Sequence, residues 1–231
     1  MFRQTMCGRF TLKEPRSIKL AHVDYDAWED LIPRYNIAPS QDIVTVVQQG
    51  PNRAATFMQW GLIPSWSNEA KGIINARVET IEQRPSFSES FLRRRCLIPA
   101  DGFYEWERNG KISQPYYFQM KTGKPFAFAG IWDRWERNGR NITSCAIITT
   151  TANELLAEIH HRMPVILEPE THNLWLSEDS RSADLKEFLK PFSAAEMMSY
   201  PVTHDVNDTK IDSEHLVQPG GTDVGVNFRL F

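Results

Sequence analysis

The stretch PFAFAGIWDRWERNGRNITSCAIITT, residues 125–150, places two runs of β-forming residues on either side of the pair Asn138-Gly139. Aromatic and β-branched residues are enriched in strands. The Asn-Gly pair fits a type I′ turn, because both of its central positions need a positive φ. The stretch therefore predicts a β-hairpin.

The same pattern recurs along the chain. The runs GFYEWER and KISQPYYFQM surround Asn109-Gly110, and the runs DIVTVVQQ and RAATFMQW flank a GPN turn. Helical patterns lie between and around these hairpins, and MPVIL at 163–167 predicts a short strand. The predicted helices cover residues 14–31, 84–95, 152–160 (with Thr151 as N-cap), 169–176 and 182–190. We expect one α+β domain, built on a largely antiparallel, barrel-like β-sheet with peripheral helices.

Composition narrows the class of protein. The chain has 231 residues, 41% hydrophobic and 24% charged, which is typical of a soluble globular protein. It has no apolar run of the ~20 residues that span a bilayer, and no secretory signal. Three scattered cysteines do not suggest a disulfide framework, so we expect a cytoplasmic protein, nucleoid-associated if bacterial. The net charge of −3 leaves nucleic-acid binding to a local patch.

Motif searches favour neither a cofactor nor a metal. No glycine-rich phosphate loop follows a strand, no CxxC pair is present, and the spacing of Cys and His matches no zinc site. His160 and His161 are adjacent, so they would not share a helix face as a metal clamp. We therefore predict no cofactor, no metal and no membrane association.

Four polar residues in apolar surroundings are candidates for chemistry: Cys7 in MCGRF, Asn75 in GIINARVET, Glu105 in DGFYEWER and His160 in IHHRMP. Each has an ordinary interpretation when taken singly. Cys7 could be a small buried hydrophobe, and Asn75 a turn residue. Glu105 could be a solvent-facing strand residue, and His160 could complement a helix dipole.

Together the four would form a coherent site if Cys7 were the first residue of the mature chain. An N-terminal amine has a pKa of about 7.7–8.0, so at neutral pH it is a better nucleophile than lysine. It can condense with an aldehyde to an imine. The adjacent thiol can then close a five-membered thiazolidine, while a carboxylate and an imidazole move protons.

The ordered motifs are similar to those of a known family. The chain resembles the SRAP (SOS response-associated peptidase) family of abasic-site processing proteins from Met6 to His160, with a weaker match past residue 200. The motifs that carry the resemblance are MCGRF, RYNIAPSQ, WGLIPSW, INARVET, RCLIPADGFYEW, IHHRMPVIL and, more weakly, YPVTHDVND.

The resemblance implies a protein that shields abasic sites in single-stranded DNA, with a crosslink between Cys7 and the lesion aldehyde. It implies that Asn75 positions the sugar, Glu105 carries protons, and His160 stabilises the opened sugar and acts as acid or base. It also implies DNA contacts. Arg9 and Arg77 would hold phosphates, and Pro39, Trp66 and Trp106 would line the DNA groove, although core packing is an equal alternative for Trp106.

Two features depart from the family pattern. Residues 1–6 precede Cys7, where relatives usually begin with Met-Cys, so we expect this leader to be absent or removed in the active form. His161 stands where many relatives carry an acidic residue, which would alter the pKa of His160. The predicted organisation is a leader at 1–6, an SRAP domain at 7–218 and a polar, disordered tail at 219–231, in a monomer.

Three functions are consistent with these residues. The first is the crosslinking enzyme, with abasic-site lyase activity at the lesion. The second is a cysteine peptidase that acts mainly on its own N-terminus, using Cys7 and His160. The third is a non-covalent module that binds single-stranded DNA through arginines and aromatic side chains.

Overall fold

The computed structural model describes residues 7–15, 31–109, 112–220 and 229–230, so the leader and most of the helix predicted at 14–31 lie outside the described residues. β-Strands are the main regular structure of the described residues. The strands are β1 Phe10–Leu12, β2 Arg34–Ile37, β3 Asp42–Gln49, β4 Asn52–Trp60, β5 Asn75–Arg77, β6 Arg95–Ala100, β7 Gly102–Asn109, β8 Ile112–Met120, β9 Phe126–Arg137, β10 Arg140–Thr151, β11 Arg162–Pro164, β12 Ile166–Leu167, β13 Met197–Pro201 and β14 Arg229–Leu230. The helices are α1 Ser88–Arg93, α2 Glu154–Ala157, α3 His172–Leu176 and α4 Ser182–Lys186.

Five strands close into a barrel in the order β10-β4-β3-β6-β9, because β9 also pairs with β10. The β9–β10 hairpin is the one predicted from sequence. Asn138 and Gly139 have φ values of 53° and 74°, as a type I′ turn requires. Side chains of the barrel strands belong to one continuous hydrophobic core, among them Trp60, Leu97 and Phe128. The predicted barrel-like α+β fold is therefore confirmed.

The pairing is largely but not wholly antiparallel. Strand β10 pairs in parallel with β4, where Ser144 lies opposite Gln59. It also pairs in parallel with β5, where Ile147 lies opposite Asn75. The second of these pairings fixes Asn75 beside the barrel.

A second sheet runs in the order β14-β13-β8-β7-β1-β2, so β1 lies between two partners. Asp101 fastens β1 at its end: its carboxylate accepts from the Thr11 hydroxyl (2.6 Å) and from the backbone N–H of Glu14 (3.0 Å). The Thr11 hydroxyl also lies 2.8 Å from that of Tyr117. This network holds the chain just after Cys7.

Both faces of the second sheet are covered. Phe103 and Phe118 belong to the main core on one face. On the other face, Tyr104 and Tyr117 pack against side chains from residues 200–217. Asn36 binds this segment, because its amide donates to the carbonyl oxygens of residues 208 and 211 at 3.0 and 2.7 Å. The central strands β7 and β8 are therefore covered on both faces where these residues lie.

The structure corrects the prediction for the 152–160 helix. Its N-cap is Asn153, whose side chain accepts from the N–H of Leu156 at 3.0 Å, and not Thr151, which ends β10. The helix is only α2 and ends at Ala157, which leaves His160 in the following loop. Asn153 makes the better cap because its side-chain oxygen reaches the free N–H groups of the first turn.

The single strand predicted at 163–167 is two strands. β11 pairs with β10, and β12 pairs with β9. Val165 lies between them. Its N–H donates to the carbonyl of Ile148 at 2.9 Å and its carbonyl accepts from Ala129 at 2.9 Å, so the chain crosses from one barrel strand to the next.

The other helix predictions are confirmed in shortened form by α1, α3 and α4, with a 3-10 turn at Pro169–Thr171 before α3. Of the tail predicted at 219–231, residues 221–228 and 231 lie outside the described residues, and Arg229–Leu230 pair with β13. Among the described residues, no helix is both long and apolar enough to cross a membrane.

Two glycines set the base of the loop between β4 and β5. Leu62 and Ile73 exchange backbone hydrogen bonds of 3.0 and 2.9 Å. A Cβ atom on Gly72 would lie 2.8 Å from the carbonyl oxygen of Gly61, and Gly61 itself has a φ of 135°. The two backbones can come this close only because neither residue has a side chain.

We expect Gly72→Ala to lower the free energy of unfolding by about 1–3 kcal/mol, since the new methyl group must displace backbone rather than a flexible side chain. Chemical denaturation measures the change. Lys71→Ala, at the exposed neighbouring position, is the control and should change stability little. Equal stability of the two variants would show that the close approach is not needed.

Candidate active site

Cys7 and Glu105 are in direct contact. The backbone N–H of Cys7 donates to Oε1 of Glu105 at 2.7 Å. The pairing of β1 with β7, in which Phe10 lies opposite Phe103, brings the two residues together. Cys7 is 3% exposed and Glu105 is 4% exposed. The interpretation of Glu105 as a solvent-facing strand residue is therefore wrong.

Burial decides the protonation of this pair. It raises the pKa of Glu105 to about 7, although the hydrogen bond from the Cys7 N–H opposes the rise. Burial, with the charge of Glu105, raises the pKa of the Cys7 thiol well above its ordinary value, and Arg162 opposes this in part. At neutral pH the thiol is therefore S–H, and Glu105 can either donate or accept a proton.

His160 is held in the loop after α2. Its Nδ1 accepts from the backbone N–H of Arg162 at 3.1 Å, and its ring stacks on that of His161 with centroids 4.5 Å apart. Burial lowers the pKa of His160, a hydrogen bond with the backbone of Arg162 opposes this, and the charges of His161, Arg108 and Arg162 lower the pKa further. Nδ1 also lies 3.3 Å from the carbonyl oxygen of Arg162, so the tautomer of the neutral ring decides which of these two backbone groups it binds.

Arg162 connects the loop of His160 to the barrel. Its guanidinium donates to the carbonyl of Thr149 at 2.6 Å and pairs with the carboxylate of Glu79. Glu79 lies on the 3-10 turn that follows β5, two residues after Arg77. The charge of Arg162 also lowers the pKa of the Cys7 thiol in part, so this residue acts on both Cys7 and His160.

Sequence reasoning missed Arg162 and Glu79, although both lie inside quoted motifs. The available signal was a charged residue inside the apolar run HRMPVIL, since charges are rarely buried unless they are paired.

Asn75 and Arg77 lie on β5, with Asn75 half-buried and Arg77 exposed. Of the four predicted catalytic residues, Cys7 and Glu105 are in contact, Asn75 lies on β5 and His160 lies in the loop after α2.

Arg9 has partners inside the protein. Its Nη1 donates to Oδ1 of Asn36 at 2.7 Å and to the carbonyl of Val206 at 2.5 Å. Its guanidinium also lies 5.8 Å from the centre of the Trp106 ring, and the indole N–H of Trp106 donates to Asn207. Arg9 and Trp106 therefore both hold the 200–217 segment, and their DNA contacts stay a prediction.

Trp66 is 60% exposed on a firmly held loop. Asp133 accepts from the N–H of Ser65 at 2.9 Å, and the indole N–H of Trp135 donates to the carbonyl of Ser67 at 2.8 Å. Pro39 is half-buried in a separate turn. An exposed indole on a fixed loop can stack on a base at low entropic cost.

Within the part of the chain that the structure describes, no group of three or more His, Cys, Asp or Glu side chains is arranged to hold a metal ion. The site offers instead an amide nitrogen, a thiol, a carboxyl group with a pKa of about 7 and a neutral imidazole. These groups are suited to proton transfer and to addition at a carbonyl carbon.

The barrel and this site define a class of protein found in several organisms. A family model described as SOS response associated peptidase (SRAP) matches residues 6–209. The chain belongs to this family, which confirms the resemblance drawn from the motifs.

The matching relatives span bacteria and vertebrates. Abasic site processing protein YoqW of Bacillus subtilis (strain 168) is 40% identical over 222 residues, which cover 92% of this chain and 99% of that protein. Abasic site processing protein HMCES of Gallus gallus is 32% identical over 81% of this chain and 66% of that protein. A crystal structure of a protein from Bacteroides thetaiotaomicron superimposes with a TM-score of 0.78 at 28% identity, over 93% of this chain.

Proposed function

We propose that this protein processes abasic sites in single-stranded DNA, by forming a thiazolidine crosslink between Cys7 and the lesion aldehyde that shields the lesion in the DNA-damage (SOS) response. The observation that carries the proposal is the 2.7 Å hydrogen bond between the Cys7 nitrogen and Glu105. This contact supports the proposal, because the nitrogen that would react is hydrogen-bonded to a buried acid–base group. Membership of a family whose relatives are named abasic site processing proteins supports the same substrate.

The reaction begins with the amine of Cys7, once residues 1–6 are absent. The amine adds to the aldehyde carbon, and loss of water gives an imine. The thiol then adds to the imine carbon, and its proton passes to the nitrogen. One C–N and one C–S bond form, the C=O bond breaks, and one water leaves. The raised pKa of the thiol favours this order, since an S–H group is a weak first nucleophile.

Glu105 and His160 would move the protons. A group with a pKa of about 7 can protonate the departing hydroxyl and take a proton back at the same pH. The neutral imidazole of His160 would accept the hydroxyl proton as the sugar ring opens to the aldehyde. Asn75, on β5, would hold the opened sugar by hydrogen bonds. The imine is also the species from which an abasic-site lyase reaction would start.

DNA would be held by charge and stacking. Exposed Arg77 would pair with a phosphate flanking the lesion. Exposed Trp66 would stack on a base without sequence preference, and Pro39 would line the same groove. Arg9 and Trp106 would contribute from the base of the site, where Arg9 is tied to Asn36.

The test mixes a chain that begins at Cys7 with a single-stranded oligonucleotide that contains one abasic site. We expect a band shift that survives denaturant, because a thiazolidine is covalent. The Cys7→Ala variant should give no such band. Cys7→Ser should give an imine that borohydride traps, because its amine survives.

An undamaged oligonucleotide of the same sequence is the control and should give no adduct with any variant. Absence of a trappable adduct from both the Cys7 chain and Cys7→Ser would overturn the crosslinking function. Salt-sensitive binding without an adduct would then favour the third function, a non-covalent module.

A second function, cleavage of the Met6–Cys7 bond by the protein itself, is favoured by the backbone at Cys7. Its φ of 45° is a conformation that non-glycine residues seldom adopt, and such strain often marks reactive positions. The Cys7 thiol would add to the carbonyl carbon of Met6, the C–N bond would break, and Glu105 would protonate the leaving nitrogen. Water would then cleave the resulting thioester, which releases residues 1–6 and frees both the amine and the thiol.

A further inference from the structure

His160 and His161 form a stacked pair in the loop between α2 and β11. Their ring centroids are 4.5 Å apart and their planes differ by 29°. The backbone carbonyl of His161 accepts from Ala152 at 3.1 Å, which fixes the exposed ring of His161 relative to the end of β10. His160 is thus held at one edge by the N–H of Arg162 and on one face by a neighbouring ring.

The charged groups that face His160 are positive. His161 comes from the same loop, Arg162 is the first residue of β11, and Arg108 lies near the far end of β7. The carboxylate of Glu79 pairs with the guanidinium of Arg162 and neutralises part of that charge. Positive charges from two parts of the fold therefore disfavour protonation of the His160 ring.

We propose that His161 is a positioning residue, whose ring holds the imidazole of His160 in place and whose basic side chain, unlike an acidic one at the same position, leaves that imidazole available as a proton acceptor. The inference rests on the proposed function, in which His160 takes a proton from the opening sugar. His161 itself need not touch the DNA, because it acts through His160.

Three substitutions at His161 separate the ring from the charge. His161→Phe keeps a flat ring and removes the charge. His161→Glu removes the ring and reverses the charge. His161→Ala removes both. The position is exposed, so none of the three changes the core.

The first readout is the titration of the His160 ring by NMR, in the chain without DNA. We expect His161→Glu to raise the pKa of His160 by about one unit or more, because an opposite charge nearby favours the protonated ring. His161→Phe should raise it by less. His161→Ala should raise the pKa by a similar small amount and should also broaden the His160 signal, because the ring loses its stacking partner.

The second readout is the pH dependence of crosslinking by chains that begin at Cys7. The acidic limb of the profile should move to higher pH in the same order as the titration. An unchanged His160 titration in all three variants would overturn the proposal, as would a titration that moves while the profile does not. If the unsubstituted chain forms no crosslink, the proposed function fails, and the NMR titration still decides what His161 does to His160.

Discussion

Glu105→Gln in the full-length chain is expected to raise the free energy of unfolding at pH 8 by about 2–3 kcal/mol and to slow crosslinking in the chain that begins at Cys7 by about 10²–10⁴-fold. The first effect follows from burial. Folding raises the pKa of Glu105 from 4.5 to about 7, so a charged carboxylate is costly inside the protein. Glutamine still accepts from the Cys7 N–H but carries no charge.

The direction of the pKa shift of Glu105 determines how the free energy of unfolding depends on pH. Between pH 4.5 and about 7 the folded protein binds more protons at Glu105 than the unfolded chain does. Its contribution to stability is therefore complete below pH 4.5, falls as pH rises, and is lost above about pH 7. Urea denaturation across this range should show the slope in the unsubstituted chain and a smaller slope in Glu105→Gln.

Glu107→Gln is the matched control, because it makes the same change on the same strand at a less buried position. Comparison of the two variants separates the loss of the buried carboxyl of Glu105 from the loss of a carboxyl elsewhere on β7. A Glu105→Gln variant that is no more stable than Glu107→Gln at pH 8 would contradict the raised pKa. Full crosslinking by Glu105→Gln would show that another group carries the protons.

The full-length chain is expected to form no covalent adduct with abasic single-stranded DNA until its Met6–Cys7 bond is cut, whereas a chain that begins at Cys7 reacts at once. The reason is that the nitrogen of Cys7 is an amide while residues 1–6 are attached, and an amide nitrogen does not condense with an aldehyde. The measurement pairs denaturing electrophoresis with the intact mass of the same sample.

If the protein cleaves itself, the mass of the full-length chain should fall by that of residues 1–6 before any adduct forms. Cys7→Ala and Glu105→Gln should then keep the full mass, because they remove the thiol or the acid. A full-length chain that crosslinks as fast as the Cys7 chain, without loss of mass, would refute the amine as nucleophile.

The hairpins could be predicted because their signals are local. Asn138 and Gly139 fit the turn whatever surrounds them, and the runs beside them have no alternative as long helices. Closure of the barrel could not be predicted. It depends on β10 pairing in parallel with β4 and β5, whose residues lie more than 60 positions earlier in the chain, and no turn signal marks such a pairing.

The burial of Glu105 was missed for a related reason. Tyr104 and Trp106 on either side suggested that the aromatic face of β7 was the inner one and that Glu105 faced solvent. In the fold β7 is covered on both faces, by the main core and by the 200–217 segment. Alternation cannot identify the inner side of a strand that has two inner sides.

The ion-pair partner of Arg162 could not be predicted from local sequence patterns either. Its carboxylate comes from Glu79, which is 83 residues away in sequence. The identities of Cys7, Asn75, Glu105 and His160 came from motifs, but motifs do not give contacts. The Cys7–Glu105 hydrogen bond, the stack of His160 on His161 and the internal partners of Arg9 became visible only with the fold.

The position of β1 between β2 and β7 bears on mechanical load. If the proposed crosslink forms, tension on the DNA strand would reach the protein through Cys7 and β1. Tension along β1 would shear its ladders with β2 and β7 together, and the bonds of Asp101 to Thr11 and Glu14 would resist at the far end. Hydrogen bonds loaded in shear break together rather than one at a time. The protein would therefore resist unfolding from its N-terminal end when the DNA strand is under tension.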